Sequence, residues 1–222
     1  MKEKHVFWGE LGVFIGLWMC AISMALYSKG AFGMSPIGSL CYAANAIFPF
    51  FTIGTWTYTL QCTTMIILIF VIHQFKWGYA FSFVIAVFFG NLVDFCNWMF
   101  AWLPEDILPL RLLYFAGGFL TLAIGVSLFM NCKLPVLPFE TFVRDVSKHF
   151  GWKVQVVKTC FDVVFISGAV LSTWFCLGRV EGAGFGTLVG ALFTGTAVGV
   201  ISGWLAQRFT FVVRFDKLKN LS

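Results

Sequence analysis

The chain has 222 residues, of which 59% are hydrophobic and 11% charged, with a formal net charge of +5. A soluble domain carries roughly 25% charged residues, so there is too little charge here to cover a water-facing surface. The composition excludes an ordinary soluble globular protein and points to the bilayer as solvent.

Crossing the hydrocarbon core takes about 20 mostly apolar residues. Six stretches qualify: 11–28, 53–73, 79–102, 112–132, 156–177 and 183–206. The first is unbroken from Leu11 to Ser28 and follows lysines, as a signal peptide would. A matching stretch, Leu112 to Cys132, recurs mid-chain where no signal peptide belongs, so the first is read as a span.

After the first span, PIGSLCYAANAIF has a helical pattern opened by Pro36. Proline suits the first turn because its missing N–H would have no partner there. The spacing predicts a short helix over 36–48, uncharged on every face, and so buried or re-entrant. The third span carries Asp94, with Asn91 and Asn97 one turn away on the same face. After the fourth span, Pro138 opens a second short helix, 138–150 (PFETFVRDVSKHF). Here Phe139, Phe142, Val143, Val146 and Phe150 form an apolar stripe, with Glu140, Arg144 and Lys148 on the other side. That pattern predicts a helix lying on the cytoplasmic membrane surface. The fifth span contains Asp162, with Lys158 one turn earlier and able to pair with it at i, i+4.

The sixth span is rich in glycine. EGAGFG looks like a dinucleotide fingerprint, but the soluble strand–turn–helix setting it needs is absent. Gly186/Gly190 and Gly195/Gly199/Gly203 instead give small-residue spacing that predicts close helix packing along the span. Thr187, Thr194 and Thr196 are placed either to bond across that contact or to line a cavity. Trp8, Trp18, Trp77, Trp98, Trp102, Trp152 and Trp204 fall mostly near span ends, as an interfacial belt would.

Two halves align at an offset of 102 residues: Leu11 on Leu113, Gly16 on Gly118, Ala21 on Ala123, Pro36 on Pro138. At an offset of 101, Gln61 falls on Asp162. Three spans per half invert the second copy. The fold class is therefore all-α: a polytopic membrane protein of two inverted three-helix repeats, 1–103 and 104–222, each with a proline-led helix after its first span. With the N-terminus in the cytoplasm, Lys2, Lys4, Lys76, Lys133, Arg144, Lys148, Lys153, Lys158, Arg208, Arg214, Lys217 and Lys219 lie inside. Only Lys29, Arg111 and Arg179 lie outside. This asymmetry orients the chain with both termini cytoplasmic. Basic residues beside an anionic leaflet account for the net charge without a nucleic acid.

The seven cysteines show no C-x-x-C pair and read as packing residues, and His5, His73 and His149 fall near span ends. No cofactor, metal site or catalytic residue is expected, and the chain is not read as an enzyme. The expected partners are the bilayer and a small-molecule substrate, with a homodimer left open. Inverted repeats are common in secondary transporters, where the substrate sits near the midplane. On that reading the proline-led helix N-termini point into a shared cavity and favour an anionic group. Ser35, Pro36, Gly38, Ser39, Gln61, Pro138, Glu140 and Thr141 are the candidate substrate contacts. A charged side chain within a span costs at least about 2.5–3.5 kcal/mol. Asp162 and Asp94 are accordingly the candidate proton-coupling residues. The competing readings are an interfacial Asp94, a structural Asp162–Lys158 pair, and a membrane accessory, sensor or assembly protein.

The turn and proline segment GAFGMSPIGSL, its counterpart KLPVLPFETF, the polar residues Gln61 and Asp162, and GTLVGALFTG resemble the YczE/YyaS/YitT-like integral membrane proteins of bacteria. The resemblance covers most of the chain. Phe81-Ser82 departs from the Gly186-Thr187 pattern of the second half. It implies a multi-pass bacterial inner-membrane protein and supplies no substrate.

Overall fold

The computed structural model describes residues 5–132, 134 and 137–212, with the backbone alone for His5 and Gln155. Lys2, Lys4, Lys133, Arg214, Lys217 and Lys219 of the orientation argument lie outside the described residues. So do Pro135 and Val136 of the second-half motif and the tail beyond Val212.

The elements in chain order are β1 (His5–Trp8), α1 (Gly9–Gly30), α2 (Pro36–Ile47), α3 (Ile53–Ile72), α4 (Trp77–Met99), α5 (Leu108–Asn131), α6 (Pro138–Phe150), α7 (Val154–Leu177), α8 (Phe185–Arg208) and β2 (Phe209–Val212). Six of them, α1, α3, α4, α5, α7 and α8, are long and apolar enough to cross a membrane. At 1.5 Å per residue, α2 with 12 residues and α6 with 13 are too short to do so. Both start at the proline expected of them.

At the centre α1 packs along α5. Glycine makes this approach close: a methyl on Gly125 would sit 3.0 Å from the Gly16 carbonyl oxygen. Ser23 Oγ on α1 donates to the Gly118 carbonyl on α5 at 2.8 Å. Small residues and interhelical hydrogen bonds replace the hydrophobic drive that helices lack in lipid. On either side, α4 packs on α1 and α8 on α5. The short helices cross between halves, α2 lying on α7 and α6 on α3.

α6 is not simply a surface helix. Phe139, Val143 and Val146 are buried in one cluster with Met65, Leu68 and Ile72 of α3 and with Val157, Phe161 and Phe165 of α7. Its stripe stops short of Phe150, which is 46% exposed. Asp145 and the carboxylate of Glu140 are buried as well, although the helical wheel places Glu140 on the solvent side. The reason is that α6 is walled by helices on more than one flank.

The glycines of α8 pack only at its start. Gly186 faces the Phe32 carbonyl and Gly190 the Pro36 ring. Gly195, Gly199 and Gly203 have nothing within 4 Å, contrary to the close contact their spacing suggests. The later half of α8 meets α5 on a different face, where Ser127 Oγ donates to the Val198 carbonyl at 3.1 Å and Asn131 Nδ2 to Ser202 Oγ at 2.8 Å.

β1 and β2 form a two-stranded parallel sheet with His5 opposite Phe209 and Trp8 opposite Val212. The Phe7 ring meets Phe209 and Phe211 edge-on. Periodicity gave no sign of this pairing, which brings both ends of the described chain to the same face of the bundle.

Candidate functional site

The two short helices begin in the interior, and α2 is capped by a side-chain oxygen of the chain. At α2, Ser35 is the N-cap and its Oγ accepts from the Gly38 N–H at 3.2 Å. Ser39 Oγ donates back to the Pro36 carbonyl at 2.6 Å. A methyl on Gly38 would lie 2.9 Å from that same Ser35 Oγ, so Gly38 makes room for the cap. At α6, among the described residues, no side chain caps the start, and the Glu140 carboxylate lies in the first turn near its own backbone N–H, which favours its ionised form. The α2 N-terminus offered by the sequence to an anion is thus partly engaged by its own cap.

These helices and α3, which packs on both, carry several buried polar side chains. Ser39 and Gln61 are wholly buried, and Thr57, Thr141 and Ser35 nearly so. Gln61 sits on the inward stripe of α3 with Thr57, Thr64, Met65 and Leu68. Neither its Oε1 nor its Nε2 has a hydrogen-bond partner. Glu140 Oε2 is buried and unpartnered too. Burying such a group without a bond costs about 1–3 kcal/mol, and native structures contain few of them.

Asp162 is 9% exposed and accepts from Lys158 Nζ at 2.6 Å within α7. Both groups lie within electrostatic reach of Glu140, as does Cys20 of α1. Burial pushes the Glu140 carboxyl above the ordinary glutamate range, Lys158 pulls it partly back and Asp162 opposes that. Glu140 and Asp162 against Lys158 leave one negative charge in excess when all three are ionised.

Asp94 stands apart from these groups. Its Oδ1 accepts from the Gly54 N–H at 2.8 Å and its Oδ2 from Thr52 Oγ1 at 2.6 Å, capping α3 from α4. Asn91, on the same face in sequence, is exposed and donates to the Val87 carbonyl of its own helix. Asn97 accepts from Ser28 Oγ at 3.5 Å.

Sequence reasoning missed Asp145. It is 5% exposed and gathers Tyr79 Oη at 2.8 Å, Lys76 Nζ at 3.2 Å and Arg144 Nε at 2.9 Å. Burial alone would raise its carboxyl; the Arg144, Tyr79 and Lys76 contacts outweigh that and hold it below the usual aspartate range. Only the charge sign of Lys76 and Arg144 hinted at it. The two glycine-containing motifs also meet. Gly33, at φ +108°, passes against Gly184 and Thr187, Met34 N–H donates to the Gly182 carbonyl and Gly186 N–H to the Phe32 carbonyl, each at 2.8 Å.

A family model described as DUF6198, a family of unknown function, matches residues 8–203. A Bacillus subtilis relative, named uncharacterized membrane protein YczE, is 24% identical over 184 residues, covering 82% of this chain and 80% of the relative. No solved structure matches. With its six apolar helices, the chain is a multi-pass membrane protein, YczE-like as its turn and proline motifs suggest, and it belongs to the DUF6198 family.

Proposed function

We propose that the protein is a small-molecule transporter of the bacterial cytoplasmic membrane, built as two inverted repeats with both termini in the cytoplasm. The observation that carries this reading is the wholly buried Gln61 amide, unpartnered at both atoms, on α3, which packs against α2 with Ser39 and against α6 with Glu140 and Thr141. Polar groups inside a membrane domain are costly and mark substrate or ion paths. A substrate supplies the bonds that the chain itself leaves unmade.

The reciprocal packing supports the repeat. α2 of the first half lies on α7 of the second, while α6 of the second lies on α3 of the first. Exchanging the halves maps one contact onto the other, and α1–α4 onto α5–α8, with α1–α5 on the axis. The binding layer is then bounded by Ser35, Pro36, Gly38 and Ser39 from one half and Pro138, Glu140 and Thr141 from the other. Gln61 and Asp162 occupy matching positions above it, and Asp162 carries the coupling proton.

The test is a thermal-shift screen of purified protein against metabolites, since a ligand that binds the folded state raises its melting temperature. A hit should then be taken up by proteoliposomes in a pH-dependent manner. A hit that binds without being moved would favour a sensor or accessory role. The tight Lys158–Asp162 pair is compatible with that second reading.

A further inference from the structure

The transporter reading leaves the chemical class of substrate open, and the inference here rests on that reading for its physiological sense. Three observations bear on charge. The α2 N-terminus already bonds Ser35 Oγ, and the first turn of α6 carries the chain's own carboxylate, Glu140. Asp162 and Lys158 neutralise one another at 2.6 Å. Glu140 then remains as a buried carboxylate whose Oε2 has no partner.

Buried charges are paired, coordinate a cation, or take up a proton. Among the described residues, Lys158 is the cation within electrostatic reach of Glu140, with Asp162 from α7 and Cys20 from α1 the other groups there. An anionic ligand would face two carboxylates against one ammonium. The second half of the site is Gln61. Its neighbour one turn on, Met65, shares a buried cluster with Phe139, the residue before Glu140. Gln61 leaves one acceptor and one two-proton donor unused.

We infer that the polar layer between α3, α6 and α7 binds a small organic cation, whose primary ammonium pairs with Glu140 and whose own hydrogen-bond acceptor takes the Gln61 amide. The ammonium donates to Glu140 Oε2 and to Gln61 Oε1, and Gln61 Nε2 donates to a hydroxyl or carbonyl on the ligand. Every unpartnered atom of the layer named here is then satisfied. A proton on Glu140 is the competing occupant, so binding weakens as pH falls. The groups that modulate it are Lys158, Asp162 and Cys20.

Ethanolamine and glycinamide are suitable probes, with ethylene glycol and glycolamide as neutral isosteres and sodium chloride at equal ionic strength. Thermal shift and equilibrium binding on the full-length wild-type protein should respond to both ammonium probes and to neither isostere nor sodium. In Glu140→Gln the protein without ligand should melt higher than wild type, because a buried unpaired carboxylate is gone, and probe affinity should fall at least about tenfold. Gln61→Met, which keeps volume and charge, should weaken the probes with no change in their pH dependence. Equal response to the neutral isosteres, no response to either ammonium probe up to about 10 mM, or unchanged binding in Glu140→Gln overturns the inference. A neutral or anionic metabolite that is transported by both wild type and Glu140→Gln overturns the cation site and leaves the transporter standing. Ammonium binding without proteoliposome uptake of labelled probe does the reverse.

Discussion

Asp94, on α4, the third of the long apolar helices, closes the first turn of α3 by accepting the Gly54 N–H at 2.8 Å across 40 residues of sequence. Four N–H groups at a helix start lack intrahelical partners, and a carboxylate there also meets the positive end of the helix dipole. The contact is possible because Gly54 and Gly90 let α3 and α4 approach: a methyl on Gly54 would overlap the Gly90 carbonyl. Asp94→Ala should therefore lower stability by about 1–2 kcal/mol, as loss of an N-cap does. Gly54→Ala should cost about 1–3 kcal/mol by overpacking. Thermal melts of both variants check this. Asp94→Asn should leave the pH profile of uptake close to wild type; a displaced profile would return Asp94 to the coupling path.

Asp162 gives a contrasting expectation. Asp162→Asn should fold and reach the membrane, but uptake of a substrate found by the screen should lose its proton-driven component, leaving only the weakening at low pH that Glu140 sets. Lys158→Ala should keep uptake while shifting its pH profile, because the carboxylate loses the ammonium 2.6 Å away. An unchanged profile in Asp162→Asn would make the pair structural.

Asp145 ties α6 to Tyr79 and Lys76 of the preceding half. Its carboxyl is held below the ordinary value of about 3.9. The stabilisation it gives is present above that unfolded-state value and is lost as pH falls through the lower folded-state value. Lys76 and Arg144 are 44% and 46% exposed, so solvent screens their share. Asp145→Ala should cost about 1–3 kcal/mol, mostly from the stranded Tyr79 hydroxyl. The gap in melting temperature between wild type and variant should narrow as pH falls below the ordinary aspartate value, the ionic share being lost while the Tyr79 share stays; a constant gap would show that packing, not charge, sets the loss.

Topology is checked by reporter fusions. Fusions after Asp106, between α4 and α5, and after Lys153, between α6 and α7, should report opposite compartments. A shared compartment would remove the inverted repeat.

Local periodicity alone determined the six spans, the two proline-led helices and the Lys158–Asp162 pair. Each depends on spacings of one or two turns, which helix geometry converts directly into position. Glycine spacing was legible in the same way, but spacing does not say which face meets a neighbour. Gly186 and Gly190 pack, whereas Gly195, Gly199 and Gly203 stay open because α5 approaches the Val198 and Ser202 face. Tertiary structure decided the rest. It turned Asp94 from a lone intramembrane carboxylate into the cap of α3, and gathered Tyr79, Lys76 and Arg144 on Asp145. It also buried Glu140 on the side of α6 that amphipathicity assigns to solvent, leaving Glu140 and Gln61 with unused bonds. The physical reason is range: partners separated by 40 to 69 residues are chosen by how helices stack, and helix stacking is set by shape and small residues across the whole chain.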